Sequence, residues 1–397
     1  MPKHRLQITI STMSVLTIGA LLSGCGSQPS AQPNSPPPAT VPKGTLTAVA
    51  NDSAYAYIKG KWVDLPPSSE TSVPTDPFQT LDFSGDGTPT AATVGSDGNM
   101  FDGSQAALWE YNKGWQAISI NGDGTITVHA WSPQNILYAA PDDGQTNGIW
   151  RQSGGRWQLV NGSATLGYIQ SIQWSPKGTL TVVSEASDGS TTVWQYLNNQ
   201  WENLNSAHVP FAADTIQVSW SPDGVLTAAT NHHGVWQYRN GTWTQPGGKS
   251  PIDTVSQVGW SPEGDLVVSG AGGQSTGLWA LENGTWSALG NAQVASPSHG
   301  IRQFGWSPSG VLTVSDAATD HIYQLKSGHW VTIWNKTSAS DRNASPPAFQ
   351  WSPSGVLTCD GGDLGGLWQY QSGTWSQIGG DKSPFHDMTS VIYGWSK

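Results

Sequence analysis

Residues 214–230 read Asp214-Thr215-Ile216-Gln217-Val218-Ser219-Trp220-Ser221-Pro222-Asp223-Gly224-Val225-Leu226-Thr227-Ala228-Ala229-Thr230. Apolar and polar residues alternate from Ile216 to Trp220, the period-two pattern of a half-buried strand. Ser221-Pro222-Asp223-Gly224 is a turn, because Pro presets φ and Gly accepts the positive φ that other residues avoid. Val225 to Thr230 supplies a second strand. A short loop leads to Gly234-Val235-Trp236-Gln237-Tyr238-Arg239-Asn240-Gly241-Thr242-Trp243. There Asn240-Gly241, set between two aromatic-bearing runs, signals a tight hairpin. The unit is four short antiparallel strands, A to D, with no room for a helix.

The unit recurs. Trp-Ser-Pro starts at Trp131, Trp174, Trp220, Trp260, Trp306 and Trp351, and a shortened Trp-Ser-Lys starts at Trp395. A fixed period near 44 residues marks a repeat architecture. The C–D hairpin keeps its own register, an aromatic followed seven residues later by Trp: Tyr55/Trp62, Trp150/Trp157, Trp194/Trp201, Trp236/Trp243, Trp279/Trp286, Tyr323/Trp330 and Trp368/Trp375. Trp109/Trp115 is one residue shorter, and it makes eight hairpins. At the front, Gly44-Thr45-Leu46-Thr47-Ala48-Val49 matches strand B with no strand A before it. At the back, Val391-Ile392-Tyr393-Gly394-Trp395-Ser396 matches strand A and the chain stops. The two ends are expected to complete one sheet. Residues 44–397 therefore read as an all-β, eight-bladed β-propeller of four-stranded antiparallel blades, closed by terminal strands that share a blade.

Of the 22 Trp, 7 end strand A, 6 lie in strand C and 8 in strand D, and Trp334 alone falls outside these columns. A buried Trp removes roughly 150–250 Å² from water, on the order of 4–6 kcal/mol of gross burial. Short strands joined by Gly-rich turns need such fillers, so the columns are expected to pack between sheets rather than form a sugar-binding ladder. The Ser-Pro-x-Gly turn after an aromatic, followed by an apolar strand, resembles WD40-like propeller repeats of the TolB type over essentially all of residues 44–397. The resemblance implies the fold and no partner. The Gly-His and Trp-Asp signatures of WD40 repeats are absent. The Asn-Gly-Thr-Trp pieces resemble the Asp-box turns of sialidase-like propellers without their Ser-x-Asp-x-Gly run, so no sialidase arginine set is assigned.

Lys3, His4 and Arg5 open the chain, and an uncharged, largely apolar run from Leu6 to Leu22 follows. Leu22-Ser23-Gly24-Cys25 resembles the bacterial lipobox. This implies a signal peptide over residues 1–24, lipid on Cys25, and a tether over 25–43 whose Pro, Ser, Gln and Asn have little to bury. No other stretch reaches the ~18 apolar residues of a membrane-spanning helix, so membrane contact is expected through the lipid alone, with the body outside the cytoplasm. A net charge of −11 disfavours nucleic acid and anionic lipid surfaces, which need a basic face. With Cys25 lipidated, Cys359 has no disulfide partner. It aligns with Val314 of the preceding repeat and reads as a small core residue.

The A–B and C–D turns are uniform, while the D–A and B–C connections vary. Varied loops on one face of a rigid scaffold are where binding usually sits. That face would carry Asp142 and Asp143, Glu185 with Asp188, His232 and His233, Asp316, Asp320 and His321, Asp360 and Asp363, and Trp334 is the aromatic outside the packing columns. Most of the loop acids are expected to be solvated tips. Asp82-Phe83-Ser84-Gly85-Asp86-Gly87 resembles the start of a calcium loop, yet it aligns with the Trp-Ser-Pro-x-Gly turn, Phe83 replacing Trp, and reads as a degenerate repeat. Adjacent His232 and His233 on a strand would point to opposite sides, against a metal site. Asp320-His321 has no nucleophile motif such as Gly-x-Ser-x-Gly beside it, and no Gly-rich loop opens a helix, against nucleotide binding. The expectation is a monomeric binding scaffold with no cofactor, no metal and no catalytic set, its partner an envelope protein or a polysaccharide. A carbohydrate-binding lectin, or a polysaccharide hydrolase or lyase, is the alternative.

Overall fold

The computed structural model describes residues 41–50, 53–67, 78–93, 108–120, 126–141, 148–160, 165–205, 209, 211, 214, 216–271, 277–289, 300–316, 321–335, 348–388 and 391–397. Cys25, Asp142, Asp143 and Asp320 lie outside the described residues.

Eight four-stranded antiparallel sheets stand in a ring. Blade I is Ile392–Trp395, Leu46–Ala50, Ser53–Ile58 and Lys61–Asp64. Blades II, III and IV have strands A at Phe78–Phe83, Ile126–Trp131 and Tyr168–Trp174. Blade V is Ile216–Trp220, Leu226–Thr230, Val235–Arg239 and Thr242–Thr244, and blade VI begins at Thr254–Trp260. Blade VII is Ile301–Trp306, Leu312–Asp316, Ile322–Lys326 and His329–Trp334. Blade VIII is Phe349–Trp351, Leu357–Asp360, Leu367–Gln371 and Thr374–Gln377. The only helices among the described residues are two 3-10 turns, Gly362–Leu364 and Gly380–Lys382.

Turn chemistry sets each blade. In blade V, Ser221 N donates to Val225 O (2.9 Å), Gly224 N to Ser221 O (2.9 Å), and Val225 N to Ser221 Oγ (2.8 Å). The hairpin turn has φ of 51° at Asn240 and 81° at Gly241, the two positive values of a type I′ turn that matches strand twist. Phe83-Ser84-Gly85-Asp86-Gly87 makes the same A–B turn, with Thr88 N on Ser84 Oγ at 2.8 Å and Gly87 N on Ser84 O at 3.1 Å. The degenerate-repeat reading of that segment holds. The Asp86 carboxylate is occupied within the turn by Ser84 and Thr88.

Blade I repeats this turn between the two ends of the chain. Gly44 N donates to Ser396 O (3.0 Å), Ser396 N to Thr45 O (3.0 Å), and Thr45 N to Ser396 Oγ (2.9 Å), so Gly44 and Thr45 stand where Gly224 and Val225 stand in blade V. Leu46 to Val49 then pair with Trp395 to Ile392. The expected closure is present in full.

The apolar interior is divided into eight clusters, and each spans one blade boundary. Val49, Leu65, Phe83 and Trp115 fill I/II, for instance, and Leu46, Ala48, Leu367 and Phe385 fill VIII/I. All 22 Trp fall within the described residues and none is exposed. Among the described residues, six strand-D indoles also donate to a backbone carbonyl of the preceding blade. They are Trp62 to Ile378 (3.3 Å), Trp201 to Val160 (2.9 Å), Trp243 to Leu204 (2.9 Å), Trp286 to Pro246 (2.9 Å), Trp330 to Leu289 (2.7 Å), and Trp375 to Ile333. The ring opposite a strand-D Trp is a Tyr two residues past the aromatic of the sequence pattern. Tyr196/Trp201, Tyr238/Trp243 and Tyr370/Trp375 have centroids 5.0, 5.2 and 5.1 Å apart. Cys359 is buried with Phe349 and Trp334, the small core residue expected of it.

Strands A of neighbouring blades approach one another, so they form the hub. Glutamines stitch it together. Gln257 Nε2 donates to Phe304 O (2.9 Å) while Phe304 N donates to Gln257 Oε1 (3.0 Å). Gln303 grips Phe349 in the same way at 2.8 and 3.0 Å.

Candidate functional site

The ends of strands B and the starts of strands A and C meet on one face of the ring, the D–A/B–C face. One cluster on this face belongs to blade V. Asp214 lies just before Ile216–Trp220, and its side chain is only 2% exposed. Residues 231–234 connect Leu226–Thr230 to Val235–Arg239 above it. His232 Nδ1 lies 2.9 Å from Asp214 Oδ1, and His233 Nδ1 lies 3.2 Å from Oδ2. The backbone N–H of His232 also donates to Oδ2 at 2.8 Å. Burial pushes the Asp214 carboxyl up. The hydrogen bonds from the His232 side chain and backbone and from His233 outweigh it and leave the group below its ordinary value. The expectation that the two His point apart is corrected, because they sit in a loop and not on a strand. Both rings turn back to one carboxylate.

The loop itself is pinned. His233 N donates to Thr230 Oγ1 (2.9 Å), and His233 O accepts from Trp236 Nε1 (2.9 Å) and Gln245 Nε2 (3.3 Å). Thr254 Oγ1 donates to Asn231 O at 2.6 Å. The side chains of His232 and His233 remain 77% and 45% exposed.

A second group occupies blades VII, VIII and I. Asp316 and Asp360 end their strands B as buried residues, which corrects their reading as solvated tips. Ala348 N donates to Asp360 Oδ1 at 2.9 Å. Burial pushes the Asp360 carboxyl up to about 7, against the opposing pull of the Arg302 charge and the Ala348 N–H. Arg302 is the bulged residue of its strand A, where pairing steps from Ile301 to Gln303. A bulge re-aims the side chain it carries. Tyr393, at the hub of blade I, donates from its hydroxyl towards Ala348 O (2.8 Å) and Thr358 O (2.9 Å). His321 Nδ1 lies 3.0 Å from Tyr323 Oη. Asp363 lies in the 3-10 turn Gly362–Leu364. On blade IV, Glu185 accepts from Gln170 Nε2 at 2.7 Å, and Asp188 accepts from Ser190 N at 2.9 Å.

Trp334 is not a recognition residue. It is 1% exposed, with ring centroids 4.9 Å from Trp375 and 5.8 Å from Trp368. A register shift in its strand, which sets Trp334 opposite Ile322 and Thr332 opposite Tyr323, turns it into the VII/VIII boundary. The large apolar side chains exposed among the described residues, Leu159, Leu197 and Val331, are scattered over three blades and form no patch.

Three residues that matter here escaped the sequence reading. Asp214 is a loop acid like many others until the fold buries it. Arg302 gains its direction from the bulge. His129 occupies a column held elsewhere by Ile172, Val218 and Phe304; burial lowers its pKa, the Asp82 charge opposes this, and its Nε2 finds no hydrogen-bond partner among the described residues. On the opposite face an open groove of about 350 Å³ lies between blades VII and VIII, lined by Trp351, Tyr370, Lys326, Ser309 and Ser354.

No protein-family model and no curated protein matches the sequence. Solved structures do. The structure of YCF48 bound to D1 peptide is similar at a TM-score of 0.50 with 12% identity, covering 84% of this chain and 98% of that one. The Dos1 propeller is similar at 0.52 with 14% identity, covering 79% and 86%. The extracellular domain of the putative one component system BT4673 from B. thetaiotaomicron is similar at 0.39 with 12% identity. The match takes in 84% of this chain and spans 45% of that domain. At these identities the likeness shows the fold, a WD40-like β-propeller, and nothing more.

Proposed function

We propose that the chain is a lipid-anchored, extracytoplasmic β-propeller that serves as an interaction scaffold, docking an envelope protein on its D–A/B–C face. The observation that carries this reading is the contrast between the two faces. The A–B turns repeat one hydrogen-bond pattern in all eight blades, whereas the B–C and D–A connections carry different polar and charged residues from blade to blade in the sequence, and in blade V His232 and His233 are held on the buried Asp214 carboxylate. No indole is exposed and the indoles pack at the boundaries between blades, which favours a protein partner over a polysaccharide on this face. The YCF48 propeller holds a D1 peptide, a use of the same fold that is compatible with this reading. The anchor rests on Cys25 directly behind the apolar run Leu6 to Leu22. No helix among the described residues is long and apolar enough to cross a membrane.

Site-specific photo-crosslinking in intact cells tests the docking face. A crosslinker at Ser256, exposed at the hub end of strand A in blade VI, should capture a discrete protein. The same group at Ser354, exposed in the opposite A–B turn, should not. Equal capture at both positions would reject the face. A glycan-array signal with no protein adduct would move the reading to a lectin.

A further inference from the structure

The Asp214–His232–His233 group has a chemistry that a solvated loop does not need. An ionised carboxylate accepts hydrogen bonds and cannot donate them, so each imidazole in contact with Asp214 must place its proton on Nδ1. In the neutral ring this fixes the lone pair on Nε2, and the two exposed rings turn that edge away from the buried carboxylate. A buried carboxylate behind an Nδ1–H is the usual outer-shell partner of a metal-ligating histidine, where it sets the tautomer and raises the basicity of the free nitrogen. One carboxylate here serves two such rings at once. The backbone bonds that hold residues 230–234 fix the base of both rings before any ligand arrives.

We infer that His232 and His233 form a binding site for a divalent transition metal of the borderline class, Zn²⁺, Ni²⁺ or Cu²⁺, through their Nε2 atoms, with Asp214 as the orienting carboxylate. Imidazole nitrogen suits these ions and not Ca²⁺ or Mg²⁺, which take oxygen ligands. No group of three or more His, Cys, Asp or Glu among the described residues is arranged to hold a metal by itself. The site therefore supplies two ligands and leaves the other positions to water or to a side chain of a docked partner. It lies on the proposed docking face, but it does not depend on a docking partner, since the metal is titrated against the protein alone.

The test is calorimetric titration of Zn²⁺, Ni²⁺ and Cu²⁺ salts into full-length, tag-free protein, with Mg²⁺ as the control. Wild type should show one saturable site for the three transition ions and none for Mg²⁺. The H232A/H233A double variant removes both rings and leaves the buried Asp214 carboxylate the backbone His232 N–H; provided that it melts cooperatively in EDTA, its affinity should fall at least tenfold. Asp214→Asn keeps one acceptor oxygen and should weaken binding by about 10–100-fold. Its melting in EDTA shows whether the fold survives; if it does not, the single variants His232→Ala and His233→Ala, each weaker than wild type, replace it. Nitrogen chemical shifts of the two rings provide an independent readout, with Nδ1 protonated in the apoprotein and Nε2 shifted by Zn²⁺. Identical isotherms for wild type and H232A/H233A, or no saturation by millimolar metal, would overturn the inference and leave the crosslinking result untouched.

Discussion

Gly259, Gly305 and Gly394 occupy the same place in three blades, each one residue before the Trp that ends strand A. The same substitution at the three should nevertheless have opposite signs. A methyl at Gly259 would lie 2.9 Å from the Trp306 ring and 3.1 Å from Phe304 in the next blade. A methyl at Gly394 would lie 2.9 Å from the ring of Phe83, which is only 3% exposed and packed in the I/II cluster. At Gly305 the nearest atom, in the Phe349 ring, is 3.6 Å away, an ordinary van der Waals contact. Overpacking against fixed rings costs about 1–3 kcal/mol. Gly to Ala without strain gains roughly 0.4–1 kcal/mol by restricting the unfolded chain. For roughly 350 residues at about 2.1 cal/mol/K each, 1 kcal/mol shifts Tm by about 1.4 °C. Scanning calorimetry should thus find G259A and G394A melting about 1.5–4 °C below wild type, and G305A about 0.5–1.5 °C above it. Three shifts of one sign, or a neutral G394A, would refute the blade packing on which the argument depends.

Asp360 makes stability depend on pH. The folded carboxyl holds its proton to about 7 while the unfolded chain releases it near 3.8, so this contribution is complete below the lower value and lost as pH rises through the upper one. Asp360→Asn keeps an oxygen for Ala348 N and should stabilise by on the order of 4 kcal/mol at pH 8; Tm against pH from 5 to 8 should fall for wild type and stay flatter for the variant, and parallel curves would count against it. Trp334→Ala should cost about 3–5 kcal/mol as a core truncation, read by melting, with no loss of partner affinity in the folded fraction. Ser396→Ala removes the acceptor of Thr45 N and the donor to Pro42 O. It should cost about 0.5–1.5 kcal/mol for each bond, more than Ser221→Ala, whose lost Val225 bond is held by a continuous turn, and equal melting losses would argue against the closing role. Cys25→Ser should abolish fatty-acid labelling and shift the protein from the detergent to the aqueous phase.

The fold was legible in the sequence because its determinants are local. Positive φ at Asn240 and Gly241 follows from residue type alone, and the matching pieces at Gly44 and Trp395 carried ring closure without any contact map. Phe83 could be recognised as a substitute Trp because the turn after it kept its register. The site residues were less accessible, since their roles depend on one-residue irregularities that periodicity cannot show. Trp334 was isolated by the pattern, but the register shift opposite Ile322 and Tyr323 decided that it faces a neighbouring blade. The alternation rule separated His232 from His233. The chain leaves its strand at Thr230, and beyond that point alternation no longer governs where a ring points. Asp214 carries no mark of its own, because burial comes from what folds over it.

The two faces differ for a reason that lies in the turn. Each A–B turn uses a Ser hydroxyl to accept the N–H four residues on: Thr88 on Ser84, Ile136 on Ser132, Thr179 on Ser175, Val225 on Ser221, Asp265 on Ser261, Val311 on Ser307 and Val356 on Ser352. Ser396 does the same for Thr45 across the chain ends. Those hydroxyls and amides satisfy one another, so replacing the Ser leaves a backbone N–H short of a partner, and such a change is destabilising. That face resists change because its polar groups are committed to holding strands A and B together. Among the described residues the B–C connections share no such common bond. Thr230 Oγ1 serves His233 N in blade V, and the Asp360 carboxylate serves Ala348 N in blade VIII, so these two blades satisfy their backbone by different devices. A ring of eight near-identical blades can acquire a specific surface where its loops are not bound to one solution, and the paired histidines of blade V stand on that side.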